Sequence, residues 1–369
     1  MEFTLEAELE ALSAEATEVA RAAVADLDVR EDSWLVGNSA EFSQELGRRG
    51  WLGMTWPTEY GGGGRTPMER FVVVEALIGN GAPLASSWFA DRQIGPSLFQ
   101  FGSDEQRRKY LPGILDGTAM WCIGMSEPDA GSDVASVRTK AVREGDGWIV
   151  DGQKIWTSGA AEGDYCYLVA RTDPDAAPHQ GLSEFVVPLD SPGLTVEPIV
   201  DLTGNRHFCE VFFEGVRVPH ENLVGQLNGS FGQIMRQMEH ERGGIDRLVS
   251  NRALYDDALT LADTSDPTIR QAIAHCESIY KIGRHMVMQE VLGQAPKGWS
   301  AITKTLCTEF EIEVAQFCAR VAGPDAMLWN RVSRNICYAP GYTIMGGTTQ
   351  ILRNIIGERI LALPREPRP

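Results

Sequence analysis

Two short segments concentrate residue types able to hold and handle a reactive cofactor. The first reads Met125-Ser126-Glu127-Pro128-Asp129-Ala130-Gly131-Ser132-Asp133 and the second Lys154-Ile155-Trp156-Thr157-Ser158-Gly159. A flavin needs hydrogen-bond donors near its pyrimidine and N5, a flat apolar neighbour, and something to meet its pyrophosphate. Ser126, Trp156 and Ser158 offer the first two, and Ser132, just after a glycine, can approach a phosphate closely. Taken singly, Trp156 reads as core packing and the serines as turn formers. No comparable pattern exists for a metal: the seven cysteines and six histidines are dispersed, with no CxxC pair and no HExxH. Scattered, odd-numbered cysteines fit reduced thiols and a cytoplasmic location.

The elements that must position these segments change character along the chain of 369 residues. Residues 1–117 read as helical. Leu5, Leu9, Leu12, Ala16 and Val19 recur at three- and four-residue spacing. Ser103 with Gln106 has the form of a capping box. The Gly61-Gly62-Gly63-Gly64 run lacks the ending of a phosphate loop and reads as a flexible turn. Residues 118–226 alternate in short runs, and Asp146-Gly147 and Asp151-Gly152 read as hairpin turns. Tyr165–Ala170, Glu184–Pro188 and Glu210–Phe213 continue the strand pattern. From 227 to 369 the helical period returns, with segments 268–293 and 300–322 long enough for bundle helices. The expected class is α+β: an N-terminal helical domain, a middle β domain and a C-terminal helical bundle.

A formal net charge of −18 repels phosphate backbones and argues against nucleic acid as a partner. It leaves room for a phosphorylated small ligand. Hydrophobic residues at 43% and charged residues at 23% are ordinary for a globular chain. No stretch approaches the ~20 apolar residues of a membrane span.

Together with Gly346-Gly347-Thr348-Thr349-Gln350-Ile351-Leu352-Arg353-Asn354, the two segments resemble the flavoprotein acyl-CoA dehydrogenase family. The resemblance covers essentially the whole chain, and the helical–β–helical order matches that family's fold. It implies FAD as cofactor. Met125, Ser126, Trp156 and Ser158 would lie at the isoalloxazine ring, Ser158 near N5. Ser132 would meet the pyrophosphate, and Thr348 and Gln350 the adenosine end. It further implies an acyl-CoA thioester substrate and an oligomer, dimer or tetramer.

Two departures from the family pattern matter. Many members carry Glu immediately before the Gly-Thr of the C-terminal motif, where this chain has Gly346. A subset uses instead a Glu preceding an Arg on a helix of the last domain. Met238-Glu239-His240-Glu241-Arg242 matches that arrangement, which implies Glu241 as catalytic base and Arg242 beside the substrate. The plainer reading of Glu241-Arg242 is a solvated helix-face pair. Of the neighbouring carboxylates, Glu239 would face about 200° away on a helix, and Asp246 ranks second to Glu241. Gly346 keeps the peptide N–H that in the family donates to the thioester oxygen, and its missing side chain leaves room for a branched or bulky acyl group. The second departure is Arg320-Val321-Ala322-Gly323-Pro324-Asp325, where the family's Gln-x-x-Gly-Gly-x-Gly helps a neighbouring subunit hold the flavin.

The resemblance thus implies α,β-dehydrogenation. A carboxylate removes the α-proton while the β-hydrogen leaves as hydride to flavin N5. Two other readings stay open: a non-catalytic or half-site subunit of a hetero-oligomer, and an oxygen-using flavoenzyme on the same fold. The sequence leaves the acyl group, the carrier and the electron acceptor open.

Overall fold

Capping chemistry sets many of the helix starts. Thr66 and Ser103 each form a capping box, with Glu69 and Gln106, and Asp266 accepts from the Thr268 amide ahead of Pro267. The expected cap at Ser103 is therefore present. The computed structural model describes residues 6–25 and 31–365, without the side chains of residues 237–242. Leu5, the first residue of the expected N-terminal stripe, lies outside that range. The rest of the stripe sits on the Ala7–Val24 helix, where Ala16, Ala20 and Val24 are buried.

Eight strands form one sheet: β1 Trp121–Gly124, β2 Lys140–Glu144, β3 Gly147–Lys154, β4 Tyr165–Arg171, β5 Leu182–Pro188, β6 Leu194–Ile199, β7 Phe208–Pro219 and β8 Leu223–Val224. Their order is β6-β7-β3-β2-β4-β5-β8, with β1 parallel to β4. Most pairs are antiparallel. β4 and β5 read as near-continuous apolar runs because both of their faces are covered. Cys166, Leu168, Phe185 and Val187 point into one core, while Tyr167 and Val186 pack with Trp56, Ile94, Leu98 and Leu111 in another.

The chain divides into two compact units. One gathers Met1–Trp34, Thr66–Pro83 and Glu241–Pro369; the other gathers Leu35–Arg65 and Leu84–His240, and so contains the sheet. In the first unit the expected long helices are Pro267–Val291 and Trp299–Ala322. The second of these buries Cys307, Phe310, Val314 and Phe317. Among the described residues no helix is long and apolar enough to cross a membrane.

Three local expectations need correction. Asp151-Gly152 is no turn: β3 runs through it, with a bulge between Val150 and Gly152. Gly152, at φ +151°, presses on Thr139, where a Cβ would come within 2.5 Å of Oγ1. The first hairpin turn is Gly145-Asp146, one residue earlier than expected, because Glu144 pairs with Gly147 and Gly145 takes φ +61°. The Gly61–Gly64 run is a laced turn, not a loose one. The amides of Gly61, Gly62, Gly63 and Gly64 donate to Thr58, Pro57, Gly53 and Trp56. A Cβ on Gly62 would sit 2.4 Å from the Trp56 carbonyl oxygen. Glycine is needed there for close packing, not mobility.

Candidate active site

In the sheet-bearing unit, a buried ion pair ties the two motifs together. Lys154, the last residue of β3, is fully buried and donates from Nζ to the Glu127 carboxylate at 2.8 Å and to the Met125 carbonyl at 3.1 Å. Glu127 also accepts from the Arg138 and Thr139 amides at 2.6 and 2.8 Å. Burial works against its charge, but the Lys154 ammonium and these donors hold its carboxyl below the usual range. Burial likewise pulls Lys154 down. A backbone bond closes the junction, with the Ile155 amide donating to the Ser126 carbonyl at 2.9 Å. Met125, Ser126 and the 155–158 segment are thereby brought side by side.

Trp156 follows at φ +60°, a strained conformation for a bulky residue. It leaves the indole 55% exposed, although Thr157 beside it is completely buried. Core packing therefore does not describe Trp156. The Ser126 and Ser158 hydroxyls are half-buried, and neither has a hydrogen-bond partner among the described residues. Backbone bonds from Thr157 to Cys209 (3.0 Å) and from Gly159 to His207 (2.8 Å) fasten the segment to the start of β7. Ser132 is exposed on the loop ahead of the short Val134–Ser136 turn of 3-10 helix.

The remaining candidates belong to the helical unit. Gly346 and Gly347 take φ +65° and +91°, and buried Lys304 donates to the Gly347 carbonyl at 2.8 Å, pinning that turn. A side chain at Gly346 would carry left-handed strain of about 1–2 kcal/mol. Thr348 already caps the Thr349–Ile355 helix through the Ile351 amide, and Gln350 is exposed on its first turn. Glu241 and Arg242 end the Ser230–Arg242 helix, and their side chains lie outside the described residues. Asp246 is buried, with Oδ2 3.4 Å from Arg247 Nε. No group of three or more candidate metal ligands occurs among the described residues.

Residues 6–118, 122–216 and 229–361 match the family models for the N-terminal, middle and C-terminal domains of acyl-CoA dehydrogenase. The chain belongs to the acyl-CoA dehydrogenase family. Among its relatives, acyl-CoA dehydrogenase IpdE1 of Mycobacterium tuberculosis is 34% identical over 342 residues, covering 89% of this chain and 88% of that one. Of solved structures, the Tcur3481-Tcur3483 steroid ACAD superposes with a TM-score of 0.90 at 31% identity, covering 99% of this chain and 100% of that one. The ChsE4-ChsE5 complex of Mycobacterium tuberculosis gives 0.87 at 29%, with the same coverage. As an acyl-CoA dehydrogenase, the chain has residues that fit a flavin. An outward indole beside two unengaged hydroxyls is the donor set such a ring requires.

Sequence reasoning passed over Lys154 and Glu127 as site-builders. The signal was the strand phase: Trp148, Val150 and Lys154 share the inward parity of β3, and a lysine at an inward position needs a buried acid. Lys304 and Phe208 carried no such mark.

Proposed function

We propose that this chain binds FAD and catalyses α,β-dehydrogenation of an acyl-CoA thioester. The reading rests on the half-exposed Trp156 beside the free hydroxyls of Ser126 and Ser158. Bound FAD supplies the hydride acceptor, N5. Ser126 and Ser158 orient the ring by hydrogen bonding, Trp156 covers its flat face, and Met125 lies alongside. Ser132 meets the pyrophosphate, and Thr348 and Gln350 the adenosine end.

Glu241 takes the α-proton onto its carboxylate as the β C–H bond breaks and the α,β double bond forms. Negative charge then builds on the thioester oxygen, where the Gly346 N–H donates. Arg242 contacts the substrate beside the base. Burial and ion pairing of Asp246 with Arg247 favour Glu241 as the base. The acyl group is bulky: Gly346 brings no side chain, and a relative of this chain is a steroid ACAD.

Assembly with a second chain type is the companion proposal. The departed 320–325 segment runs directly into Met327, Leu328 and Trp329, all well exposed. Relatives described as two-component complexes support the same reading.

Glu241→Gln tests the reaction. It should keep FAD and ligand binding while slowing anaerobic flavin bleaching by a bulky acyl-CoA about 10²–10⁴-fold. Reduction at the wild-type rate would remove Glu241 from the role. Purified protein that is colourless alone but yellow with a partner chain would favour the half-site subunit.

A further inference from the structure

Trp156 cannot hold its exposed ring by its own backbone, because φ +60° is a shallow, unfavourable well for an aromatic residue. Something outside the segment must fix it. In this unit the neighbours come from the end of the β6–β7 loop and the first residue of β7. The Phe208 ring meets the Trp156 indole edge to face, with centroids 5.7 Å apart and planes at 88°. Behind Phe208 lies His207, its ring centroid 3.9 Å away.

His207 is itself fixed. It is almost fully buried, and Nδ1 lies 3.8 Å from the Asp201 carboxylate. Asp201 Oδ1 accepts from the Thr203 amide, the Thr203 hydroxyl and the Asn205 amide at 2.8, 2.6 and 3.0 Å, which stiffens the loop. Burial pushes the imidazole down to about 4, so it stays neutral and packs as an aromatic ring at ordinary pH. The two backbone bonds from Thr157 and Gly159 hold the segment's main chain to Cys209 and His207 but leave the indole's tilt undetermined. Among the described residues the aromatic contact the indole makes is with Phe208.

We infer that Phe208, backed by His207, is a positioning residue that sets the plane of Trp156 against the flavin. The inference rests on the proposed flavin role of Trp156. The end of the β6–β7 loop and the start of β7 thereby act on the cofactor through Trp156. An edge-to-face pair is worth about 0.5–1.5 kcal/mol, which is roughly 2- to 12-fold in a dissociation constant.

The test uses the full chain, with its partner chain where one is required. FAD affinity of the apoprotein, the visible circular dichroism of bound FAD and amide hydrogen exchange are read for four variants. Phe208→Leu removes the ring but keeps apolar bulk. It should weaken FAD binding roughly 2- to 12-fold and change the dichroism, while the Thr157 and Gly159 amides stay protected. Phe208→Tyr should match wild type, and His207→Ala should change the dichroism in the same sense as Phe208→Leu. Trp156→Phe reports on the indole directly. If Trp156→Phe shifts affinity and dichroism but Phe208→Leu shifts neither, the positioning role is overturned and the flavin reading stands. If Trp156→Phe shifts neither, Trp156 is not at the flavin, and the inference falls with that reading. If Phe208→Leu exposes the Thr157 and Gly159 amides, Phe208 holds the backbone instead, and the inference is again overturned.

Discussion

Glu127 in the sheet-bearing unit and Glu311 in the helical unit are both buried carboxyls, yet they are held in opposite states. Glu127 meets the Lys154 ammonium at 2.8 Å and two backbone amides. Glu311 is completely buried on the Trp299–Ala322 helix, and among the described residues neither of its oxygens has a hydrogen-bond partner of good geometry, the Ser250 and Asn251 amides acting only weakly. Burial pushes it well above the carboxylate range, and nearby Asp32 adds to that, outweighing the Ser250 and Asn251 amides and Arg247. Depth does not decide whether a buried acid is charged; the partners it finds do. The partnered acid sits in the Met125–Asp133 motif, which we propose lines the flavin. The other acid sits buried in a helix core.

The largest test of this contrast is Lys154→Met. It strands Glu127 and should cost about 3–5 kcal/mol in urea unfolding. It should also loosen the Met125–Ser126 segment, read as weaker FAD binding. A loss below about 1 kcal/mol would mean that the pair contributes little. Next, Glu311→Met removes a weakly partnered polar group and should stabilise the chain at neutral pH by about 1–3 kcal/mol. Destabilisation there would show that Glu311 has strong partners in solution.

The pH dependence separates the two acids by sign. The folded-state pKa of Glu127 lies below its ordinary value of 4.5, so its contribution is present above that pH and is lost as pH falls through the folded value. The folded-state pKa of Glu311 lies above 4.5, so its contribution is complete below 4.5 and is lost as pH rises toward the folded value. Glu184, raised to about 8 by burial, acts in the same direction as Glu311 between 4.5 and 8. Glu127→Gln should therefore weaken the protein at pH 7 more than at pH 3, and Glu311→Met should flatten the decline above pH 4.5. Parallel pH profiles for the two variants would contradict the contrast. The smallest effect is kinetic: Ser158→Ala should slow flavin reduction by about 1–3 kcal/mol of barrier while leaving unfolding unchanged. A wild-type reduction rate would take Ser158 out of the site.

Periodicity made the helical–β–helical order legible, and the motif residues stood out by type. What escaped depended on contacts made at a distance. Asp151-Gly152 looked like a hairpin because the dipeptide is a turn signal. The strand runs on there against Thr139, thirteen residues away, which lies too close to Gly152 for any side chain. The Gly61–Gly64 run looked loose because its acceptors, the Gly53, Trp56 and Pro57 carbonyls, are invisible in a composition. Glu311 falls in the buried phase of its helix with Cys307 and Ala315, so its burial was legible. Its neighbours Asp32 and Asn251 come from other segments and were not.

The division of the chain has a consequence for how it is made. The sheet-bearing unit uses nothing beyond His240, so it has all its parts while the last third is still being translated. The other unit draws on residues 1–34 and 241–369, and cannot close until those 129 later residues are made. At about 5–20 residues per second, the Ala7–Val24 helix waits roughly 6–26 s longer than the sheet for its full set of partners. Through that interval its apolar stripe can pack against Pro67–Gly79, an early helix of the same unit.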